Sequence, residues 1–288
     1  MKLKNIIKEK ISILIYNLSE PYLKVAKKIK KDYPDICVTL IQADAVLGKN
    51  DMEEYMTKRN IMRGNRLIEL SKTVDKFVLF SKYLEEPLEI GKRPYLVSEC
   101  IINPNTKKTE INNNHRKIFL YTGTLFPDYE IFEFCQAIAK NKNAEVWICG
   151  SGPESNKIEE LSKVSDNVKF FGYVDKKTVE DLRDKCDFLF NSRKPTGTYT
   201  KYSFPSKTAE YMMSAKPVVM YKLEGVPDKY DEYLTYLDIN KSFDEEIERI
   251  LNLDYNELVK KAEQGRDFII KTRNNVTVAK EIIEFIKK

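Results

Sequence analysis

The sequence predicts two α/β domains built on parallel sheets, and three observations lead there. Short apolar runs such as Lys117–Tyr121 and Phe188–Asn191 recur along the 288-residue chain. Amphipathic stretches of helical period follow them, the spacing of repeated βαβ units. In the second half the runs are apolar on both faces, as buried parallel strands are. One polar, turn-rich segment breaks the rhythm, with Asn103, Pro104 and Asn105 and then Asn112, Asn113 and Asn114. Such a segment reads as an interdomain linker.

Ile11–Tyr16 reads as the first strand, and Ser19-Glu20-Pro21 starts a helix that runs to about Lys31. Ile36–Ile41 is a second strand, and a helical stretch covers roughly Asp51 to Lys72. Phe77–Phe80 and Tyr95–Val97 are short strands. Beyond the linker the strands are Lys117–Tyr121, Glu145–Cys149, Val168–Phe171, Phe188–Asn191 and Pro217–Met220. Helices lie between them from about Tyr129 to Lys140, Pro153 to Lys163, Lys176 to Lys185, and from Ser206 onward. The tail from Asp244 to Lys288 is helical. The expected division is a first domain over 1–100, a linker over 101–116, a second domain over 117–265, and C-terminal helices over 266–288 that can cross back to the first.

Composition narrows the function classes. A hydrophobic share of 42% with 32% charged residues describes a soluble globular protein. The net charge of +5 is mild for this length and argues against a nucleic-acid partner. Lys24, Lys27, Lys28, Lys30 and Lys31 crowd one short helix. They form either a solvated face or a surface attracted to anionic lipid head groups. The five cysteines form no Cys-x-x-Cys pair and mostly sit in apolar runs, which fits a reducing, cytoplasmic compartment. The single histidine, His115, lies in a polar stretch, so a metal centre and a histidine-dependent triad are not expected.

The loops after the second-half strands carry the candidate chemistry. Gly123-Thr124, Gly150-Ser151-Gly152, Gly172-Tyr173-Val174 and Ser192-Arg193-Lys194 each follow a strand, and a parallel sheet binds ligands at the carboxyl ends of its strands. Next comes Tyr202-Ser203-Phe204-Pro205-Ser206-Lys207, then Glu210-Tyr211-Met212 and Lys216-Pro217-Val218-Val219. Pro205 fixes φ and Ser206 is a plausible N-cap, so a helix starting near Lys207 aims its first amides at the preceding loop. With Lys207 beside them, they suit a phosphate or diphosphate. Glu210, three residues on, can accept hydrogen bonds from a ribose or sugar diol. Taken locally, the same residues also describe an ordinary αβ unit with a solvated Lys and Glu.

Together these residues, over about Lys117 to Tyr233, resemble the nucleotide-binding half of GT-B glycosyltransferases, specifically the retaining family 4 group called "glycosyl transferases group 1". The likeness is greatest to bacterial capsule, exopolysaccharide and O-antigen enzymes, in which SFPSK-x-x-EYM is followed by KPVV. The resemblance implies a GT-B-like fold of two Rossmann-like domains and transfer of a sugar from a nucleotide-diphosphate donor, a UDP-sugar, to a polysaccharide-repeat or lipid-linked acceptor. Donor contacts carry over to Gly123, Thr124, Gly150, Gly152, Tyr173, Val174, Arg193, Phe204, Ser206, Lys207 and Glu210. Glu210 would hold the ribose and the amides near Ser206 would face the diphosphate. No cofactor or metal is expected, and location would be the cytoplasm or the inner face of the membrane.

The chain departs from the general family pattern at several positions. Tyr202 stands where an upstream glutamate is usual. Phe126, Pro127, Asp128 and Tyr129 replace a basic pair after the first strand, and Ala215 replaces a glycine. Residues 10–100 resemble only the later part of the acceptor domain, so the N-terminal domain is expected to be incomplete. Two further readings stay open. One is a truncated or split transferase that binds donor and needs a partner chain, and the other is a sugar-nucleotide 2-epimerase.

Overall fold

The computed structural model describes residues 11–46, 57–104, 108–109, 115–196 and 198–288. They fall into two compact units. The first holds 1–101, 196–204 and 275–288, and the second holds 102–195 and 205–274.

In the first unit β1 (Ser12–Tyr16), α1 (Glu20–Asp32), β2 (Cys37–Gln42), α2 (Lys58–Ser71), β3 (Lys76–Leu79) and β4 (Tyr95–Val97) succeed one another. The four strands pair in parallel in the order β1-β2-β3-β4. Leu40, Phe77 and Leu79 are fully buried in the sheet, packed with Leu23 of α1 and Leu67 of α2. Leu14 and Tyr16 of the edge strand β1 are exposed. The C-terminal helix α9 (Asn275–Lys287) packs Val278 and Ile282 on Val78, and Lys76 Nζ donates to the Ile286 carbonyl at 2.8 Å.

The second unit alternates strand and helix from β5 to β9. Its elements are β5 (Lys117–Thr122), α3 (Ile131–Lys140), β6 (Ala144–Cys149), α4 (Ser155–Val164), β7 (Val168–Gly172), α5 (Lys176–Lys185), β8 (Phe188–Asn191), α6 (Ser206–Met212), β9 (Val218–Tyr221) and β10 (Thr235–Leu237). The helices α7 (Phe243–Leu251) and α8 (Tyr255–Arg273) complete it. The six strands are parallel in the order β10-β9-β8-β5-β6-β7. The order reverses beside β5, and that reversal opens a crevice at the strand ends. Stacked aromatic rings fill the core, Phe134 on Phe190 at 3.8 Å and Phe119 on Phe188 at 4.7 Å between centroids.

Element order follows the sequence reading, with physical differences at the edges. The helix expected from Tyr129 begins at Ile131, because Glu130 takes a left-handed backbone (φ 49) after a single 3-10 turn. β10 was not expected; it is three residues long and pairs only with β9. The expected linker 101–116 lies partly outside the described residues. From Ile102 on its described residues belong to the second unit, since Ile102 N donates to the Arg273 carbonyl at 2.9 Å and Thr109 N to that of Ser214 at 3.1 Å. Residues 196–204, read as part of the second domain, group with the first unit through Tyr202 in its core and the Ser81 hydroxyl donating to the Lys201 carbonyl at 2.5 Å.

Candidate active site

The crevice beside β5 is a cleft of about 490 Å³ lined by the turns after β5, β6 and β7 and by one face each of α5 and α6. Two glycines make it possible. Gly123 (φ 154) ends β5, and a Cβ there would sit 1.6 Å from Lys207 Nζ. Gly150 (φ 150) ends β6, and a Cβ there would sit 1.7 Å from the Gly123 carbonyl oxygen. Gly150 therefore lets the two turns touch, and Gly123 leaves the notch that an ammonium fills.

Lys207 lies on the first turn of α6. Pro205 (φ −65) is the N-cap and Ser206 the first helical residue, which corrects the expectation that Ser206 caps. The reason is that the extended backbone ends at Pro205 and no side chain caps the helix. The Ser206 hydroxyl is thereby left exposed at the helix mouth. Lys207 Nζ lies over the Tyr121 ring, 5.1 Å from its centroid, and makes no ion pair among the described residues. Burial holds this ammonium below the ordinary lysine range, while the nearby Glu210 carboxylate opposes the shift. A partly desolvated cation facing a cleft attracts an anion strongly.

The floor is rigid. Tyr211 is fully buried, and its hydroxyl accepts from Thr122 N at 3.2 Å and bonds the Thr122 hydroxyl at 2.9 Å. Burial pushes its pKa up to about 12, so it stays a neutral strut. The Tyr121 hydroxyl donates to the Thr124 carbonyl at 2.7 Å and shapes the turn after β5. Cys149 also lines the cleft, but burial pushes its thiol up to about 11, which leaves it a poor nucleophile.

Glu210, one helical turn from Lys207, accepts a hydrogen bond on Oε1 from Arg183 Nη2 at 2.6 Å. The Arg183 side chain is 6% exposed and that of Glu210 54%. The carboxylate thus reaches the cleft from a buried anchor. A second hollow of about 140 Å³ lies at the other side of Lys207, lined by Tyr121, Tyr129, Asn191, Arg193, Pro205 and Ser206. Beside it Lys194 grips Glu130, 2.8 Å to Oε1 and 2.7 Å to Oε2, and ties the β8 loop to the β5 loop.

Of the residues singled out in the sequence, Gly123, Thr124, Gly150, Tyr173, Val174, Lys207 and Glu210 line the cleft, and Arg193 and Ser206 line the adjoining hollow. Gly152 lines neither. A Cβ there would meet the Leu125 backbone within 2.5 Å, so its task is close turn packing. Phe204 is buried and also lines neither. Sequence reasoning missed Arg183, Lys176 and Val179 on α5. Their spacing of three and four residues on a helix with few apolar residues was the available signal.

A parallel sheet with a glycine-lined cleft at its reversal point, a cation and an anchored carboxylate marks the ligand-binding domain of a GT-B-like α/β fold. Residues 103–268 match the family described as glycosyl transferases group 1, and the chain belongs to that family. It is a transferase, and the 2-epimerase reading falls away. Anabaena HepE, solved with UDP and glucose, superposes with a TM-score of 0.66 at 17% identity, covering 95% of this chain and 77% of that one. Sucrose-phosphate synthase of Thermosynechococcus elongatus gives a TM-score of 0.70 at 15% identity, covering 96% and 73%. TarM gives 0.67 at 13% identity, covering 96% and 55%. At these identities the likeness is one of fold. No curated protein matches the chain in sequence.

Proposed function

We propose that the chain transfers a sugar, with retention of configuration, from a UDP-sugar to a polysaccharide-repeat or lipid-linked acceptor of capsule, exopolysaccharide or O-antigen assembly. The observation that carries this reading is the Lys207 ammonium seated in the Gly123 notch, one helical turn from an anchored Glu210 carboxylate. HepE has been solved with UDP-glucose as well as with UDP, and the same kind of ligand fits a cleft with this charge pattern.

In the reaction the bond from the sugar's anomeric carbon to the β-phosphate oxygen breaks. The acceptor oxygen bonds to that carbon on the same face, and its proton passes to the departing phosphate. Negative charge grows on the diphosphate as the sugar becomes cationic, and Lys207 and Arg193 stabilise it. These two cations stand in for the basic pair that Tyr129 and its neighbours replace. They also supply charge that a metal would otherwise bring, so chelators should leave donor binding unchanged. Tyr173 and Val174 flank the base, and Glu210 takes the ribose.

The reaction takes place in the cytoplasm, at the inner face of the membrane. Lys27, Lys28 and Lys31 are exposed on α1 beside Tyr22 and Val25 and make no ion pair among the described residues. Such a face suits anionic head groups, whereas Lys30 is held by Asp75 at 2.5 Å. Among the described residues no helix is long and apolar enough to cross a membrane. A second reading, a transferase completed by a partner chain, is favoured by β1, an edge strand with Leu14 and Tyr16 exposed.

Calorimetric titration with UDP and UDP-sugars, with donor hydrolysis followed in the same samples, tests the reading. Binding with slow turnover is the expected result. Binding without turnover favours the partner-chain reading, and no binding of any UDP ligand overturns the site.

A further inference from the structure

We infer that Arg183 is a positioning residue: it fixes the Glu210 carboxylate so that one oxygen stays directed at a vicinal diol, which makes the cleft selective for a ribonucleoside over a deoxyribonucleoside diphosphate. The inference rests on the reading of the cleft as a nucleoside-diphosphate-sugar site.

The arrangement is asymmetric. Arg183 Nη2 occupies Glu210 Oε1 at 2.6 Å, and Glu210 Oε2 has no hydrogen bond among the described residues. A carboxylate with one oxygen anchored keeps the lone pairs of the other for hydroxyl donors. Glu210 sits on a helix of seven residues with its side chain 54% exposed, where an unanchored glutamate would sample several rotamers. The guanidinium comes from α5, where Lys176, Val179 and Arg183 share the face that lines the cleft.

Stability does not explain the arginine. Its Nε is buried with no hydrogen-bond partner, so the fold carries an unsatisfied donor on a buried cation. A buried ion pair is often matched or bettered in stability by apolar side chains of similar volume. Met or Leu would complete the apolar side of α5 beside Leu182 more readily. What an apolar residue cannot do is hold Oε1. Lys207 and Glu210 are three residues apart on α6, so cation and fixed oxygen face the cleft one helical turn apart, as a phosphate and the ribose that carries it require.

Calorimetry of the full chain with UDP, 2′-deoxy-UDP, 3′-deoxy-UDP and inorganic pyrophosphate tests the inference in the wild type, Arg183→Met, Arg183→Lys and Glu210→Gln. The wild type should favour UDP over at least one deoxy analogue on the order of tenfold. In Arg183→Met that ratio should collapse towards one, with pyrophosphate affinity and melting temperature little changed. Arg183→Lys should restore part of the ratio, and Glu210→Gln should abolish it. An undiminished ratio in Arg183→Met overturns the inference while leaving the donor site standing. If Arg183→Met does not fold, Glu210→Gln decides alone, because Glu210 is exposed, and an unchanged ratio there overturns the inference. Failure of the wild type to bind UDP removes the donor-site reading itself, a result distinct from either.

Discussion

At the end of β1 in the first unit, Asn17 adopts a left-handed backbone (φ 54) and spends its side chain on the fold. Its Oδ1 accepts from Ala43 N at 2.9 Å and its Nδ2 donates to Asp44 at 3.3 Å. Gln42, at the end of β2, accepts from Leu18 N at 3.0 Å and donates to the Asp44 carbonyl at 2.9 Å. At the ends of β5 and β6 in the second unit stand Gly123 and Gly150, which have no side chain to spend. The space at Gly123 is taken by Lys207, whose ammonium faces the cleft, and Gly150 lets the two turns touch. Both units are parallel sheets, yet one ties off its strand ends and the other leaves a cation and a carboxylate oxygen open. Polar groups already satisfied within a fold gain little from a ligand, whereas partly desolvated ones gain much.

The largest expected effect belongs to Gly150→Ala. Its Cβ would meet the Gly123 carbonyl oxygen, a backbone atom that cannot swing away. A loss of about 3 kcal/mol or more is expected, read as a lowered melting temperature together with lost UDP binding. A near-normal melt would show that the two turns are less tightly coupled than their geometry says.

Gly123→Ala separates site from fold more sharply. The added Cβ strains a backbone of φ 154, pushes aside the end of a flexible lysine and fills the notch itself, so stability should fall by about 1–3 kcal/mol while UDP affinity drops on the order of a hundredfold. Unchanged calorimetric affinity would break the contrast between the units.

Lys207→Met should weaken UDP binding on the order of tenfold, and pH gives its signature. Because burial lowers the folded-state pKa, affinity should be flat at low pH and fall as pH rises through that lowered value. The unfolded chain holds this proton to higher pH, so the same group adds stability as pH rises across the window between the two pKa values. Lys207→Met should remove the alkaline fall in affinity, and a persistent fall would assign it to another group.

The smallest effect is expected from Asn17→Ala. It loses two hydrogen bonds and a residue type that tolerates the left-handed backbone, about 1–2 kcal/mol by chemical denaturation, with UDP affinity unchanged. Weakened UDP binding would mean that the first unit's strand ends also serve the donor.

Periodicity made most strands and helices of the second unit legible, because β5, β8 and β9 are apolar and buried on both faces and the helices between them on one. α5 appears over Lys176–Lys185 and β8 over Phe188–Asn191 as read from the sequence. Lys207 and Glu210 stood out from their place at the start of a helix after a strand. Arg183 did not, because a lysine- and aspartate-rich helix reads as solvated until the fold shows which side faces the sheet. Gly152 looked equivalent to Gly150, and only coordinates separate a glycine that opens a cleft from one that packs against Leu125. Local chemistry and hydrophobic period determined the α/β class, the order of elements and the region of the site. Tertiary structure alone decided that Lys207 fills the notch at Gly123, that Arg183 anchors Glu210, and that residues 196–204 and 275–288 join the first unit. Those pairings bring together residues far apart in the chain, and no local periodicity encodes them.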